Sequence, residues 1–260
     1  MSVEFETFIG VEASPDRNNP FTFASLDGDM AIRAIGSGGI KQAFAFLAGQ
    51  NSALASINSP ATTNKGLIKR EEIRKKLSSK SHLGRWANLR LVEFELLQRG
   101  INISKTPDSQ KRSPKWMRLG FQLFEEIRKL EYEPYPNLIA PKQFFECHGE
   151  AVFWNLLGRT PLKENTLEGR LQRQLILTDC GLPVPDAMKF FEEITRHRLL
   201  TSNLPIDNIY SQAELNAVAA AYTAWLAANR PERVIKIGHK EEGILFLPDH
   251  TIFRESPKNT

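Results

Sequence analysis

The chain has 260 residues, of which 41% are apolar and 25% are charged, and these values are ordinary for globular proteins. A chain of this length can bury a substantial core as one large domain or two small ones. It contains no run of about 18 apolar residues, which a membrane-spanning helix would need, and its acidic N-terminus does not resemble a signal peptide. Cys147 and Cys180 are its only cysteines, too few for a disulfide framework or a zinc site. We therefore expect a soluble, intracellular, cytoplasmic protein with both thiols buried as small apolar groups.

Positive charge is concentrated in one part of the chain. Residues 65–118 contain fifteen Lys and Arg against five Asp and Glu. This segment carries a formal charge of +10, so the remainder carries −6, because the total is +4. Such asymmetry is typical of proteins that bind a phosphate-bearing partner. The alternative is a solvated polar face on a long insertion.

The first sixty residues predict the order β-β-β-α-β. Alternating or continuous apolar residues predict strands at residues 5–12, 21–26, 30–35 and 53–57. The first three are joined closely enough to form an antiparallel meander, and the fourth is typical of a buried parallel strand. Between them, residues 40–48 predict a helix. The glycine-rich residues 36–39 before it could cradle a phosphate, but they lack the lysine and spacing of a P-loop, so we expect a flexible helix start.

The rest of the chain is predicted to be mostly helical. Further helices are predicted near Glu71 and at residues 86–98, 116–130, 151–157, 165–181, 185–200 and 211–229. A strand is predicted at residues 143–147, and a final hairpin pairs residues 235–237 with 244–247.

Polar residues occupy the positions where ligands gather in open α/β sheets, at the carboxyl ends of strands. Glu12, Asn58 and Glu146 follow three predicted strands, and Asn216 lies in the first turn of a late helix. Carboxylates clustered on such a sheet can hold paired Mg²⁺ ions that activate water against a phosphodiester. We therefore take these four residues as candidate catalytic residues, with Glu12 and Glu146 as the anionic metal ligands.

Each candidate has a structural alternative. Glu214 lies near Asn216 and could supply a carboxylate there, but it completes a capping box with Ser211, which favours a structural role. Glu146 could instead bond the helix that follows it, and Asn216 could be a boundary residue of a buried helix. His148 could act as a general base or metal ligand, although a lone histidine at a strand end is more often a structural hydrogen-bonding group.

Two sets of basic residues are candidates for binding nucleic acid. The first could track a phosphate backbone and consists of Lys65, Lys69, Arg70, Arg85 and Arg90. The second could clamp a phosphate near the site and consists of Lys163, Arg170 and Arg173. This second set could equally be the polar face of an amphipathic helix. Trp86 and Trp116 could stack on bases, but both adjoin apolar stripes, which favours core packing.

Several short motifs together resemble a known family. They run in the family's order over nearly the whole chain, and residues 167–174 and 214–225 are the most specific of them. The motifs are residues 9–12 (Ile-Gly-Val-Glu), 57–60 (Ile-Asn-Ser-Pro), 106–107, 116–117, 146–148 (Glu-Cys-His), 163–173, 192–196, 214–225 and 242–243 with Pro248. The sequence thereby resembles the uncharacterised family of predicted nucleases with a ribonuclease H-like fold (domain of unknown function, family 429).

The resemblance implies a single ribonuclease H-like α/β domain over residues 1–260, with residues 61–142 as a helical, basic insertion. It also implies a nuclease that uses Mg²⁺ or Mn²⁺, with acidic residues at three positions. Those positions hold Glu12, Asn58 and Asn216 here, so only Glu12 keeps a charge. An amide oxygen can ligate a hard cation but contributes no charge, whereas Mg²⁺ sites rely on carboxylates.

Three hypotheses follow for function. The first is a metal-dependent nuclease-like protein with an eroded acidic site that acts on or binds DNA or RNA. The second is a non-catalytic descendant of the fold that binds nucleic acid or a protein. The third, based on the kinship of such sheets with sugar kinases and actin-like ATPases, is a nucleotide-binding, phosphotransferase-like enzyme. The sequence does not determine the oligomeric state.

Overall fold

A mixed sheet forms the centre of the protein in the computed structural model, which describes all residues except 1–2, 15–17, 19, 78–85, 250 and 253–260. Its strands are β1 (Thr7–Ala13), β2 (Phe21–Leu26), β3 (Ile32–Gly38), β4 (Ala53–Asn58), β5 (Glu133–Pro134), β6 (Lys142–Cys147), β7 (Val234–His239) and β8 (Gly243–Pro248). Their spatial order is β3-β2-β1-β4-β6-β8-β7, and the short β5 pairs with β6.

The pairing directions confirm the predicted meander and parallel strand. β1, β2 and β3 are antiparallel to one another in turn, whereas β4 is parallel to β1 and β6 is parallel to β4. The predicted final hairpin is also confirmed, since β7 and β8 pair in antiparallel fashion and β8 joins β6 in parallel. β5 was not predicted, because two exposed residues carry no periodic pattern.

The described residues form nine α-helices. These are α1 (Ile40–Ala48), α2 (Glu71–Lys76), α3 (Leu91–Gln98), α4 (Lys115–Lys129), α5 (Gly149–Leu157), α6 (Leu167–Asp179), α7 (Lys189–Glu193), α8 (Arg196–Leu200) and α9 (Gln212–Asn229). No helix in the described part of the chain combines the length and the apolar composition needed to cross a membrane.

Local hydrogen bonds explain two errors in the predicted helices. The predicted helix at residues 185–200 is two short helices, because the Thr195 hydroxyl accepts the Arg198 N–H and starts a new helix there. The helix predicted at residues 86–98 is shorter in the structure, where α3 begins at Leu91. Arg90 before it is extended, and its N–H donates to the Glu93 carboxylate, which caps the helix. In both cases a cap fixes the first residue of the helix.

The glycine-rich segment is also placed differently from the prediction. Gly36 and Gly38 belong to β3, which pairs with β2 as far as Gly38, and only Gly39 caps α1. This segment therefore does not form a loop at a helix start.

Helices cover both faces of the sheet. One buried cluster contains Ile9 and Val11 of β1 together with Leu47 of α1 and Leu123 of α4. The other contains Phe8 and side chains of α5, α6 and α9. Because successive strand residues point to opposite faces, each central strand contributes to both clusters.

α9 is the central helix of the second cluster and is buried on nearly all sides, from Leu215 to Ala227. It lies directly against β1 at Gly10, where a Cβ atom would come within 1.9 Å of the Ala217 carbonyl oxygen. The missing side chain of Gly10 thus brings the first turns of α9 close to the carboxyl end of β1. The predicted capping box of Ser211 and Glu214 is present at this end of the helix.

Candidate functional site

An open cleft of about 600 Å³ lies at the carboxyl ends of β1 and β4. The starts of α5 and α9 and the chain around Ser104 complete its walls. It is lined by Glu12, Ala13, Ser14, Asn58, Asn102, Ile103, Ser104, Trp116, His148, Glu150, Glu164, Ser211, Gln212, Ala213 and Asn216. Three of the four predicted catalytic residues are therefore in one cleft.

Glu12, Asn58 and Asn216 form the centre of this cleft. Glu12 and Asn58 are paired across β1 and β4, and the Asn58 amide donates a hydrogen bond to the Glu12 carboxylate. The Asn216 side chain hydrogen-bonds the same carboxylate from α9. The sheet register and the close approach of α9 at Gly10 thus bring together residues more than 200 positions apart in the sequence.

Gly149, the first residue of α5, closes the back of this group. Its N–H donates to the side-chain Oδ1 atom of Asn58 at 3.1 Å. A Cβ atom here would lie 2.6 Å from Asn216 Oδ1 and 3.1 Å from Asn58 Nδ2. Both amides therefore pack against a bare backbone, and both polar atoms of the Asn58 amide are used within the protein.

Burial controls the protonation of the cleft. It raises the pKa of Glu12 to about 8, although the hydrogen bonds from Asn58 and Asn216 oppose the shift. Burial also raises the pKa of Glu164, and the neighbouring Glu150 carboxylate adds to that effect. Burial lowers the pKa of His148 to about 4. At neutral pH, the centre of the cleft therefore holds a largely protonated Glu12 and an uncharged imidazole.

Glu146, the fourth predicted catalytic residue, lies elsewhere. Asn58 pairs with Cys147 in the sheet, so strand alternation directs Glu146 to the opposite face. There its carboxylate contacts Arg90 Nη2 at 2.7 Å, with both side chains almost fully buried (3% and 2% exposed), and it also accepts the Ala61 N–H. Glu146 is thus committed to a buried ion pair, which argues against its predicted role as a metal ligand.

Three of the predicted phosphate-binding residues are also committed to internal contacts. Arg90 is paired with Glu146 as described. Arg173 is fully buried, contacts Glu150 at 2.5 Å and donates to the Leu162 carbonyl oxygen. Arg170 donates to the carbonyl oxygens of residues 209 and 210. These guanidinium groups are bonded within the protein, which argues against their predicted role in nucleic-acid binding.

The other predicted basic residues differ in their surroundings. Lys65, Lys69 and Lys163 are exposed. Arg70 is exposed as well and forms a surface ion pair with Glu241 at 2.8 Å. Arg85 lies outside the described residues.

Two cleft carboxylates were missed by the sequence prediction. Glu150 is in the first turn of α5, directly after β6, and Glu164 lies in the loop before α6. The position of Glu150 just beyond a parallel strand could have indicated it, since ligands gather at such strand ends. For Glu164, the sequence signal was its position next to Lys163 within the motif of residues 163–173.

The residues at the centre of the cleft do not fit a pair of Mg²⁺ ions. Such a pair needs several carboxylates to offset dehydration of the ions, but Glu12 meets two amides here, and the Asn58 oxygen is occupied by Gly149. Glu150 is already paired with Arg173. Among the described residues, no group of three or more His, Cys, Asp and Glu side chains is arranged to hold a metal ion.

The family described as "Protein of unknown function (DUF429)" matches residues 95–242, which is more than half of the chain. The chain belongs to this family. The matched part includes Asn216 and the cleft residues His148, Glu150 and Glu164, whereas Glu12 and Asn58 precede it. No curated protein and no solved structure matched the chain.

Proposed function

We propose that this chain binds nucleic acid through a ribonuclease H-like architecture and does not cleave it in the sheet-end cleft. The observation that carries the proposal is the convergence of Glu12, Asn58 and Asn216 in one cleft. The family resemblance implies three acids at these positions. One carboxyl group and two amides preserve the placement but not the charge that paired metal ions require.

Exposed lysines that are next in sequence to cleft residues support a nucleic-acid partner. Lys105, Lys115 and Lys163 are exposed, and they are sequence neighbours of the cleft residues Ser104, Trp116 and Glu164, respectively. Cations at the rim of a cleft attract phosphates and increase the rate of association. Lys105 and Lys115 belong to the basic segment of residues 65–118, which carries a formal charge of +10.

We also propose that the protein acts in the cytoplasm. Both cysteines are free, and neither Cys147 nor Cys180 forms part of a disulfide, which suits a reducing compartment.

Salt-dependent binding tests the proposal. Fluorescence anisotropy would measure the affinity of labelled single-stranded DNA, single-stranded RNA and duplex DNA between 50 and 300 mM salt. We expect binding of at least one probe to weaken steeply with salt, because each phosphate contact on a single strand contributes a slope of about −0.7 in log K against log salt. The triple variant Lys105→Ala/Lys115→Ala/Lys163→Ala should weaken binding about tenfold or more and flatten this slope.

A matched triple variant provides the control. Lys41, Lys189 and Lys240 are also exposed, but none is adjacent in sequence to a residue that lines the cleft. Replacing all three with alanine removes the same charge and should change affinity much less. Equal losses in the two triple variants, or no binding by any probe, would overturn the proposal.

A metal-dependent nuclease is the second candidate, because Glu150 and Glu164 line the cleft beside Glu12. Incubation of DNA and RNA substrates with Mn²⁺ or Mg²⁺ tests it directly. Cleavage by the wild type that is abolished in Glu12→Gln, but retained when the exposed Glu168 of α6 is changed to Gln, would establish this activity and replace our proposal.

A further inference from the structure

We infer that the cleft receives one unstacked nucleobase, while the phosphate backbone stays at its rim. This inference rests on the proposed function and specifies which part of the nucleic acid enters the cleft. The first observation is the charge of the lining. Its residues include the three carboxylates of Glu12, Glu150 and Glu164, and no Lys or Arg among those described. A phosphodiester inside would meet these carboxyl groups and no lining cation to pair with, because the neighbouring Arg173 is fully buried and already paired with Glu150, whereas a base is uncharged.

The second observation concerns hydrogen bonding. Asn216 is only 4% exposed and lines the cleft, yet its Oδ1 atom has no hydrogen-bond partner in the described part of the protein. The His148 Nδ1 atom also has no hydrogen-bond partner in that part of the protein. A buried polar atom without a partner costs about 1–3 kcal/mol, so a ligand N–H group that reaches either atom is stabilised by the hydrogen bond it forms. Base edges present such groups, and asparagine side chains bind base edges in pairs of hydrogen bonds.

The third observation is a flat aromatic surface. Trp116 is half-buried and lines the same cleft. A base stacked on an aromatic ring gains about 1–3 kcal/mol. The cleft volume of about 600 Å³ falls within the roughly 300–1,000 Å³ of small-molecule sites, so a nucleoside has room to enter.

The rim and the interior then have separate roles. Lys105 and Lys115 hold phosphates outside, and the Asn216 amide and Trp116 bind the base within. Proteins that bind an unstacked base use the same combination of base-edge hydrogen bonds and aromatic packing.

An abasic oligonucleotide separates the two roles. A labelled single-stranded 12-mer with bases would be compared with a 12-mer of abasic sites, which has the same phosphates. Both titrations contain EDTA. We expect the abasic strand to bind about tenfold more weakly, which corresponds to about 1.4 kcal/mol. Equal affinities would overturn the inference and leave the proposed function intact.

Free nucleosides test the cleft without any phosphate. Calorimetry with adenosine, cytidine, guanosine and uridine in EDTA should show saturable, salt-insensitive binding of at least one of them, and ribose alone should not bind. Trp116→Ala and Asn216→Ala should each weaken that binding at least fivefold. Trp116→Phe, which keeps a stacking ring, should retain most of the affinity and shows that the alanine effect is not a folding defect.

Asn203→Ala serves as the amide control, because Asn203 is exposed and does not line the cleft. Nucleoside binding without oligonucleotide binding would overturn the proposed function and the placement of the phosphates at the rim, but would keep the binding of a base in the cleft. Absence of nucleoside binding at millimolar concentration, or binding only of phosphorylated nucleosides in the presence of a divalent cation, would overturn the inference.

Discussion

Glu12 is central to what the cleft can bind, because its carboxyl group is bonded to both amides there. Loss of solvent raises its pKa to about 8, so it spends most of its time protonated at neutral pH. A protonated carboxyl group both donates and accepts hydrogen bonds. The same residue type that would attract a cation in a solvated site therefore becomes a neutral recognition group here.

The raised pKa of Glu12 makes a prediction about stability and pH. In the unfolded chain Glu12 loses its proton at its ordinary value of 4.5, but in the folded protein it keeps the proton up to about pH 8. The folded state binds more protons in this window, so stability falls as pH rises through it. Relative to Glu12→Gln, which cannot ionise, the free energy of unfolding of the wild type should fall by about 2 kcal/mol between pH 5.5 and 7.5.

Urea unfolding of both proteins at several pH values measures this difference, and other titrating groups cancel in the comparison. Glu168→Gln, an exposed acid on α6, serves as the control and should show a nearly constant difference. If the difference in the free energy of unfolding between wild type and Glu12→Gln does not change with pH, Glu12 is ionised in the folded protein over this whole range.

At the scale of elements, the contact between β1 and α9 positions the cleft. Residues 215–227 are buried, and the helix can reach the strand only because Gly10 has no side chain. This contact sets how far Asn216 stands from Glu12. The cleft geometry therefore depends on a residue that takes no part in its chemistry.

Gly10→Ala tests this dependence. Its Cβ atom would lie 1.9 Å from the Ala217 carbonyl oxygen and 2.4 Å from the Ala221 nitrogen, and both are backbone atoms that cannot rotate away. We expect the free energy of unfolding to fall by about 3 kcal/mol or more, which is at the upper end for overpacked cores. Gly28→Ala is the matched control, since a Cβ there meets nothing within 4 Å. In thermal unfolding, the melting temperature of this control should be close to that of the wild type.

At the scale of the whole molecule, a buried polar network joins the basic segment to the sheet. Glu242 is fully buried in the turn of the β7–β8 hairpin and accepts the backbone N–H groups of Lys65, Leu67 and Leu91. The guanidinium group of Arg90 donates to the Glu242 carbonyl oxygen and pairs with Glu146. Glu146, predicted to be catalytic, and Arg90, predicted to bind nucleic acid, therefore connect distant parts of the chain.

Arg90→Met should be strongly destabilising, because it leaves the Glu146 carboxylate buried without its cation. Breaking a buried ion pair in this way costs about 3–5 kcal/mol. The double variant Arg90→Met/Glu146→Gln should be less destabilised than Arg90→Met alone. Denaturant unfolding measures both.

Arg70→Met offers a surface comparison for that experiment. Arg70 and Glu241 are 49% and 44% exposed, so loss of their pair should cost under about 1 kcal/mol. Similar losses for the Arg90 and Arg70 variants would show that the buried network contributes little.

The sequence by itself determined the local structure that short-range patterns encode. Alternating residues fixed β1, and a continuous apolar run identified β4 as a parallel strand. The capping box of Ser211 and Glu214 was predicted from four residues and is present. The strand ends also directed attention to Glu12 and Asn58, since such ends meet at one edge of a parallel sheet.

Only the tertiary structure decided which polar residues share a site. Glu146 and Cys147 are neighbours in sequence, but alternation sends their side chains to opposite faces, and only the register with Asn58 shows which of them faces the cleft. Arg173 is buried and Glu150 reaches the cleft because of how α5 and α6 pack. Burial, partner and pKa depend on atoms brought together from remote parts of the chain, and no local pattern contains that information.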